Sequence, residues 1–193
     1  MVNLAILASG SGTNAENLIR YFDKNENVKI SFIISNKQDA LVHERAAKWH
    51  IPSYTFPKLA FENGEVRAFL QKSGIDMIIL AGFLLRLPTT ITRSYPHRII
   101  NIHPALLPKY GGKGMYGRHV HEAVINAKET VSGISIHYVN GSYDKGKLIF
   151  QSRCAVTPDD TPETLAEKVH ELEYRYYPEI INEEIKLQFL DSK

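Results

Sequence analysis

The chain of 193 residues has a single cysteine, Cys154, which excludes an internal disulfide and fits a reducing compartment. It lacks a basic leader: the start reads Met1-Val2-Asn3-Leu4-Ala5-Ile6-Leu7-Ala8, an apolar run too short for a secretory signal. No apolar stretch approaches the roughly 20 residues needed to cross a bilayer. An excess of one charge is missing too. The 23 Lys and Arg nearly cancel the 21 Asp and Glu, leaving +2, so a strongly electrostatic nucleic-acid binder is not the expected class. Small anionic ligands stay open, because a few local cations suffice for those. Internal repeats, low-complexity tracts and linker-like segments are also lacking. What is present is an ordinary globular composition, 44% hydrophobic and 23% charged. A chain of this length buries about 70% of its unfolded surface, enough for one well-packed domain. One cytoplasmic domain is expected.

Short β-type runs alternate with amphipathic segments through the first hundred residues. Strands are predicted over residues 3–8, 28–34, 53–56, 77–81 and 98–103. The first, second and fourth are continuous apolar runs, the form of strands covered on both faces. Between them, Ala15, Leu18, Ile19 and Phe22 share one helical face, as do Ala46 and Trp49, and then Val66, Phe69 and Leu70. This rhythm predicts an α/β fold: a Rossmann-like open, mostly parallel twisted sheet with helices on both faces.

After His103 the pattern changes. Pro104 and Pro108 bracket a turn, and Gly111, Gly112, Gly114 and Gly117 fall within seven residues, which predicts a mobile loop, either close to a ligand or simply a long connection. A helix is expected over residues 119–126, then strands over 133–139 and 147–156 joined by a turn segment. The end reads as one long helix, capped by Thr161 with Pro162 at its first position. Pro178 is the point where that helix is expected to kink or break. The fold class is thus completed by C-terminal antiparallel pairing and a long helix.

Directly after the first strand stands Ser9-Gly10-Ser11-Gly12-Thr13-Asn14. Glycines allow a tight turn there, and the free N–H groups of a helix start attract an anion. Gly10-x-Gly12-x-x-Ala15 also fits the loose dinucleotide fingerprint, but that fingerprint wants an acidic residue ending the second strand. This strand ends Ile34-Ser35-Asn36-Lys37, with no carboxylate, and the Walker lysine motif is missing. The loop is therefore read as a phosphomonoester site. A purely structural turn is the competing reading.

At the end of the fifth strand, Asn101-Ile102-His103 places an amide and an imidazole two residues apart, on one face of the strand. In an open α/β sheet that edge is where ligands bind. An amide N–H stabilises a developing oxyanion, and an imidazole moves protons near neutral pH. A core histidine satisfied by backbone fits the same residues. Asp144 lies in the turn between the last two strands and is a candidate partner for the imidazole, raising its pKa; a turn-stabilising Asp is the bland alternative. His103, His119, His121 and His137 invite a metal reading, yet no HExxH-type spacing supports it, and no metal is assigned. Cys154 sits inside an apparent strand and reads as a small core residue.

Together these pieces resemble the phosphoribosylglycinamide formyltransferase family over nearly the whole chain. The matching residues are the Ser9-to-Asn14 loop, Ser35-Asn36-Lys37, Leu80-Ala81-Gly82-Phe83, the block Asn101-Ile102-His103-Pro104-Ala105-Leu106-Leu107-Pro108-Lys109, Ser135 with His137, Asp144, and Glu173 with Tyr177-Pro178. The Asn-Ile-His-Pro-x-Leu-Leu-Pro block is the specific part. The resemblance implies formyl transfer from 10-formyltetrahydrofolate to the amine of 5-phosphoribosylglycinamide, without a covalent enzyme intermediate and without a metal. It places catalysis on Asn101, His103 and Asp144. It places the ribonucleotide on Ser11, Gly12, Thr13 and Asn14, with Pro104 and Glu173. The folate falls to Leu84, Leu85, Arg86 and Leu87 and to Asn140, Gly141, Ser142 and Tyr143. Residues 1–100 then form a phosphate- and nucleotide-binding half, and residues 101–193 a catalytic and folate-binding half. Partners are expected to be small-molecule substrates, not nucleic acid or membrane, with the chain a monomer or homodimer.

Three features depart from the common family pattern. Where family members often carry an arginine near Gly64, the segment reads Phe61-Glu62-Asn63-Gly64 and only Arg67 is near. The chain reads Phe83-Leu84-Leu85-Arg86-Leu87, which moves a cation by one position. The glycine-rich loop is longer than usual. Related enzymes that share the Asn-x-His and Asp core are a formyltetrahydrofolate hydrolase, expected to carry an extra domain before it, and a methionyl-tRNA formyltransferase, expected to carry one after it and a basic surface. Length and near-neutral charge disfavour both. A non-enzymatic phosphoribosyl-binding protein would need the loop but not the other three residues.

Overall fold

A computed structural model describes residues 1–191. Seven strands form one sheet in the order β3-β2-β1-β4-β5-β6-β7. They are β1 (Val2–Leu7), β2 (Val28–Ser35), β3 (Ser53–Thr55), β4 (Met77–Leu80), β5 (Ile99–His103), β6 (Val131–Tyr138) and β7 (Leu148–Ala155). The first five are parallel. β6 then runs antiparallel to β5, and β7 antiparallel to β6. Strand order reverses between β1 and β4, and a crevice opens at such a switch point beyond the carboxyl ends of the strands.

The apolar runs of β1 and β4 divide by alternation. Leu4, Ile6, Met77 and Ile79 enter one hydrophobic cluster, and Ala5, Leu7, Ile78 and Leu80 the other. Both faces are therefore covered, as the unbroken runs predicted. The first face carries α1 (Thr13–Phe22), α2 (Val42–Lys48), α6 (Arg118–Asn126) and α7 (Pro162–Ile185). The second carries α3 (Lys58–Glu62), α4 (Glu65–Lys72) and α5 (Thr89–Ser94). Ala15, Leu18, Ile19 and Phe22 are the buried face of α1, as expected. Cys154 is half-buried against the first cluster.

The long C-terminal helix differs from expectation in one respect: it continues through Pro178 to Ile185, then widens into a π-helical segment, Lys186–Leu190. Proline in a helix frees the carbonyl four residues earlier. Here that is Tyr174, and its oxygen accepts from Asn17 Nδ2 of α1 at 2.8 Å. The neighbouring helix supplies the missing donor. Thr161 caps α7 as predicted, its side chain accepting from Thr164 N while the Thr164 hydroxyl accepts from Thr161 N. Deeper in α7, the buried Tyr177 hydroxyl donates to the carbonyls of Leu80 (2.8 Å) and Ile100 (3.3 Å), fixing this helix to the ends of β4 and β5.

Candidate active site

Asn101 and His103 project from the same face of β5, and their register partners on β6 are His137 and Ser135. Asn101 Nδ2 lies 3.1 Å from His137 Nε2, and His137 Nδ1 lies 2.8 Å from the Tyr138 carbonyl. Ser135 is fully buried and holds the following loop in place. Its hydroxyl donates to Ala105 O (2.7 Å) and accepts from Leu107 N (2.9 Å) and Gln151 Nε2 (2.8 Å). That loop in turn presents the Tyr110 carbonyl, which accepts from His103 Nε2 at 2.8 Å.

Asp144 approaches from the β6–β7 connection and stands between two imidazoles. Its Oδ2 is 3.7 Å from His103 Nδ1 and its Oδ1 is 3.6 Å from His137 Nε2. The Gly112 amide donates to Oδ2 at 2.8 Å, so the glycine-rich loop packs against this carboxylate. Burial pushes the Asp144 carboxyl up, but the His137 side chain, the Gly112 amide and His103 outweigh it and lower its pKa. The expected rise in the His103 pKa is not found. Burial of the ring, only 4% exposed, is the largest influence and lowers it; Asp144 and the Tyr110 carbonyl oppose this, and His137 adds to it. Asp144 thus favours the imidazolium without outweighing desolvation.

The Ser9-to-Asn14 loop crosses from β1 to α1 at the other end of the site. Ser9 is buried, donating to Asn36 Oδ1 (2.5 Å) and accepting from Leu84 N (2.9 Å). Gly12 has φ +72°, and a Cβ there would lie 2.4 Å from the Val42 side chain. Only glycine fits. Arg45 binds the Ser11 carbonyl at 2.7 Å and pairs with Glu16. Gly10 to Asn14 line the cavity at the start of α1, where the first amides of a helix lack intrahelical partners. Asn14 Nδ2 donates to Glu173 Oε2 at 2.9 Å, and His170 Nε2 lies 3.9 Å from the same oxygen. Burial pushes the Glu173 carboxyl up, against the Asn14 amide and His170.

One cavity of about 620 Å³ unites these groups. Its wall includes Ser11, Gly12, Thr13, Asn14, Leu84, Leu85, Arg86, Leu87, Asn101, His103, Pro104, Asn140, Ser142, Tyr143, Asp144 and Glu173. Gly141 does not reach it; a Cβ there would face Thr89 at 3.2 Å. The glycine-rich loop, predicted as mobile, contributes residues 112–117 to the same wall, Lys113, Met115 and Tyr116 among them. The histidines separate. His103, His121 and His137 face the cavity, while His119 stacks edge-on against Tyr116 outside that wall. Among the described residues no three acidic, histidine or cysteine side chains are grouped as metal ligands. Sequence reasoning missed His121 and His170 as wall residues, and it missed the Tyr110 carbonyl and Gly112 amide. The latter two are backbone groups, which carry no side-chain signal. His121 had one available sign, its place one turn into a helix that follows the glycine-rich loop.

The sequence pattern of the formyl transferase family matches residues 2–181. The chain belongs to that family. A phosphoribosylglycinamide formyltransferase of Bacillus subtilis is 33% identical over 189 residues, covering 95% of this chain and 94% of its own length. A chloroplastic phosphoribosylglycinamide formyltransferase of Arabidopsis thaliana is 39% identical over 185 residues; the chain spans 63% of that protein's length. The crystal structure of phosphoribosylglycinamide formyltransferase from Bacillus halodurans superposes with a TM-score of 0.87 at 34% identity, covering 99% of this chain and all of the other. Membership fits the sheet and the long terminal helix found here. No helix of the described residues is long and apolar enough to cross a membrane.

Proposed function

We propose that this chain transfers the formyl group of 10-formyltetrahydrofolate to the amine of 5-phosphoribosylglycinamide, as a step of purine (IMP) biosynthesis. The observation that carries the reading is the convergence of Asn101, His103 and Asp144 on a wall shared with the start of α1. The names of the relatives support the choice of substrates. In this reading the whole chain works as one domain: residues 1–100 hold the phosphate and the Leu84 to Leu87 side of the folate, and residues 101–193 supply the reacting groups and the Asn140 to Tyr143 side. The substrates are small molecules, the setting is cytoplasmic, and nucleic acid has no part; the chain acts as a monomer or homodimer.

The cavity suits two ligands laid end to end, and its volume lies in the range of about 300–1,000 Å³ common for ligand pockets. The phosphate rests on the amides and hydroxyls from Ser11 to Asn14, and the buried Glu173 accepts from the ribose hydroxyls. Leu84, Leu85 and Leu87 form an apolar slot for the folate ring, with Arg86 and the Asn140–Tyr143 stretch beside it. The substrate amine attacks the formyl carbon, forming a C–N bond and placing charge on the formyl oxygen. Asn101 Nδ2 donates to that oxyanion, and His103 takes up a solvent proton as the charge develops, stabilises the oxyanion as imidazolium, and releases that proton when the intermediate collapses. The neutral resting state of His103 is no obstacle, because a nearby anion raises the imidazole pKa. Collapse breaks the bond from the formyl carbon to the folate nitrogen, and the amine proton ends on that nitrogen. Atoms balance without a metal or a covalent enzyme intermediate.

The test is isotope transfer from formyl-labelled 10-formyltetrahydrofolate. Label in formylglycinamide ribonucleotide is the expected product. Label released only as formate would replace transfer with hydrolysis, and no turnover would leave a binding protein.

A further inference from the structure

Asn101 can serve an oxyanion only if its N–H₂ end, not its carbonyl oxygen, faces the reacting atoms. We infer that His137 is a positioning residue that fixes this choice through its own tautomer, an inference that rests on the catalytic reading of Asn101 above. A backbone oxygen sets the tautomer. The Tyr138 carbonyl is 2.8 Å from His137 Nδ1, and a carbonyl only accepts, so the ring proton sits on Nδ1. A neutral ring then has a bare lone pair at Nε2. Asn101 Nδ2 lies 3.1 Å from that atom and must donate to it, which turns the amide so that its second N–H points away from His137. Asn101 and His137 are directly opposed on β5 and β6, so the pair cannot drift in register.

Two features of the backbone aim the Tyr138 carbonyl. The β6–β7 register shifts between Ile136 and His137, a bulge of the kind that re-aims side chains beside active sites. Gly146 packs so closely that a Cβ there would lie 1.6 Å from the Tyr138 oxygen. Bulge, glycine and carbonyl together set the imidazole, and the imidazole sets the amide. Ring protonation would undo the arrangement, because Nε2–H would turn to the Asp144 carboxylate, whose Oδ1 is 3.6 Å away.

Nitrogen-labelled histidine resolves the tautomer in solution. Long-range proton–nitrogen correlation spectra of the parent at neutral pH are expected to show His137 protonated at Nδ1 alone. A ring protonated at Nε2, or at both nitrogens, overturns the inference even if formyl transfer is confirmed, and the spectrum stands as a test even if transfer fails. Kinetics supply a second arm. His137→Leu should lower kcat on the order of 10²-fold, as loss of an oxyanion donor does, with both KM values little changed. His137→Gln, whose side-chain oxygen reaches the Nε2 position as an acceptor, should restore most of that loss. In an Asn101→Ala background His137→Leu should cost nothing further. An equal loss in both backgrounds would show that His137 acts independently of Asn101 and would sink the idea. Should His137→Leu not fold, the parent spectrum and the Gln variant carry the test.

Discussion

Asn101 and Asp144 do different work in the proposed reaction, and single substitutions separate them. Removing one donor to a developing oxyanion typically costs on the order of 10²–10³ in turnover. Asn101→Ala should therefore lower kcat by that order while both substrates still bind and the circular dichroism spectrum is retained; a folded variant close to the parent would remove Asn101 from the mechanism. Asp144→Asn keeps an oxygen for the Gly112 amide but removes the charge 3.7 Å from His103 Nδ1. Burial already holds that imidazole low, and Asp144 is the largest influence opposing it. The variant should lower the His103 pKa further, read by proton NMR titration, and lower kcat as well. An unchanged or raised pKa would reassign Asp144 to ordering the glycine-rich loop. By contrast, Gly12 is a poor probe of phosphate binding, since any side chain there collides with Val42 and disturbs the scaffold.

At the level of elements, α7 depends on a neighbour for continuity past Pro178. Asn17→Ala removes the donor to the Tyr174 carbonyl and should cost about 0.5–1 kcal/mol, a net hydrogen bond near the surface. Pro178→Ala restores an N–H for that carbonyl, so in its background Asn17→Ala should be nearly neutral. Urea midpoints of the four proteins check the cycle, and equal losses in both backgrounds would refute it. The same helix shows what sequence could and could not tell. The cap at Thr161 with Pro162 at the first position was legible because capping is local. The passage through Pro178 was not, because its remedy lies on α1. Likewise β1 and β4 announced themselves as unbroken apolar runs, whereas α3 and α5, with five and six residues, are too short to show a helical period. In the site, Asn101 and His103 followed from strand alternation and Asp144 from its turn. Their partners Tyr110 O and Gly112 N are backbone atoms positioned by the Ser135 network, and no side-chain pattern encodes them.

Over the whole molecule, the buried histidines couple stability to pH. His121 is 2% exposed with Nδ1 unpartnered; burial is the chief reason its pKa falls to about 4, with His170 and His103 adding repulsion. In the unfolded chain its value is about 6.5. Between those values the unfolded state binds the proton and the native state does not, so stability falls as pH falls from above 6.5 towards 4. His103, also lowered, acts in the same direction. Glu173 acts in the opposite one: its raised carboxyl stabilises below the ordinary carboxylate range, and that contribution is lost as pH rises through its folded value. For His121 alone, linkage gives a loss of about 2 kcal/mol between pH 8 and pH 5. At roughly 2–4 °C per kcal/mol for a chain of this size, that is several degrees in Tm. His121→Gln removes the titrating group and keeps a polar side chain. Its Tm should drop less than the parent's over the same pH interval, by that amount. If the two proteins lose stability equally, His121 is not held neutral by burial, and the acid sensitivity belongs to His103 or to groups on the surface.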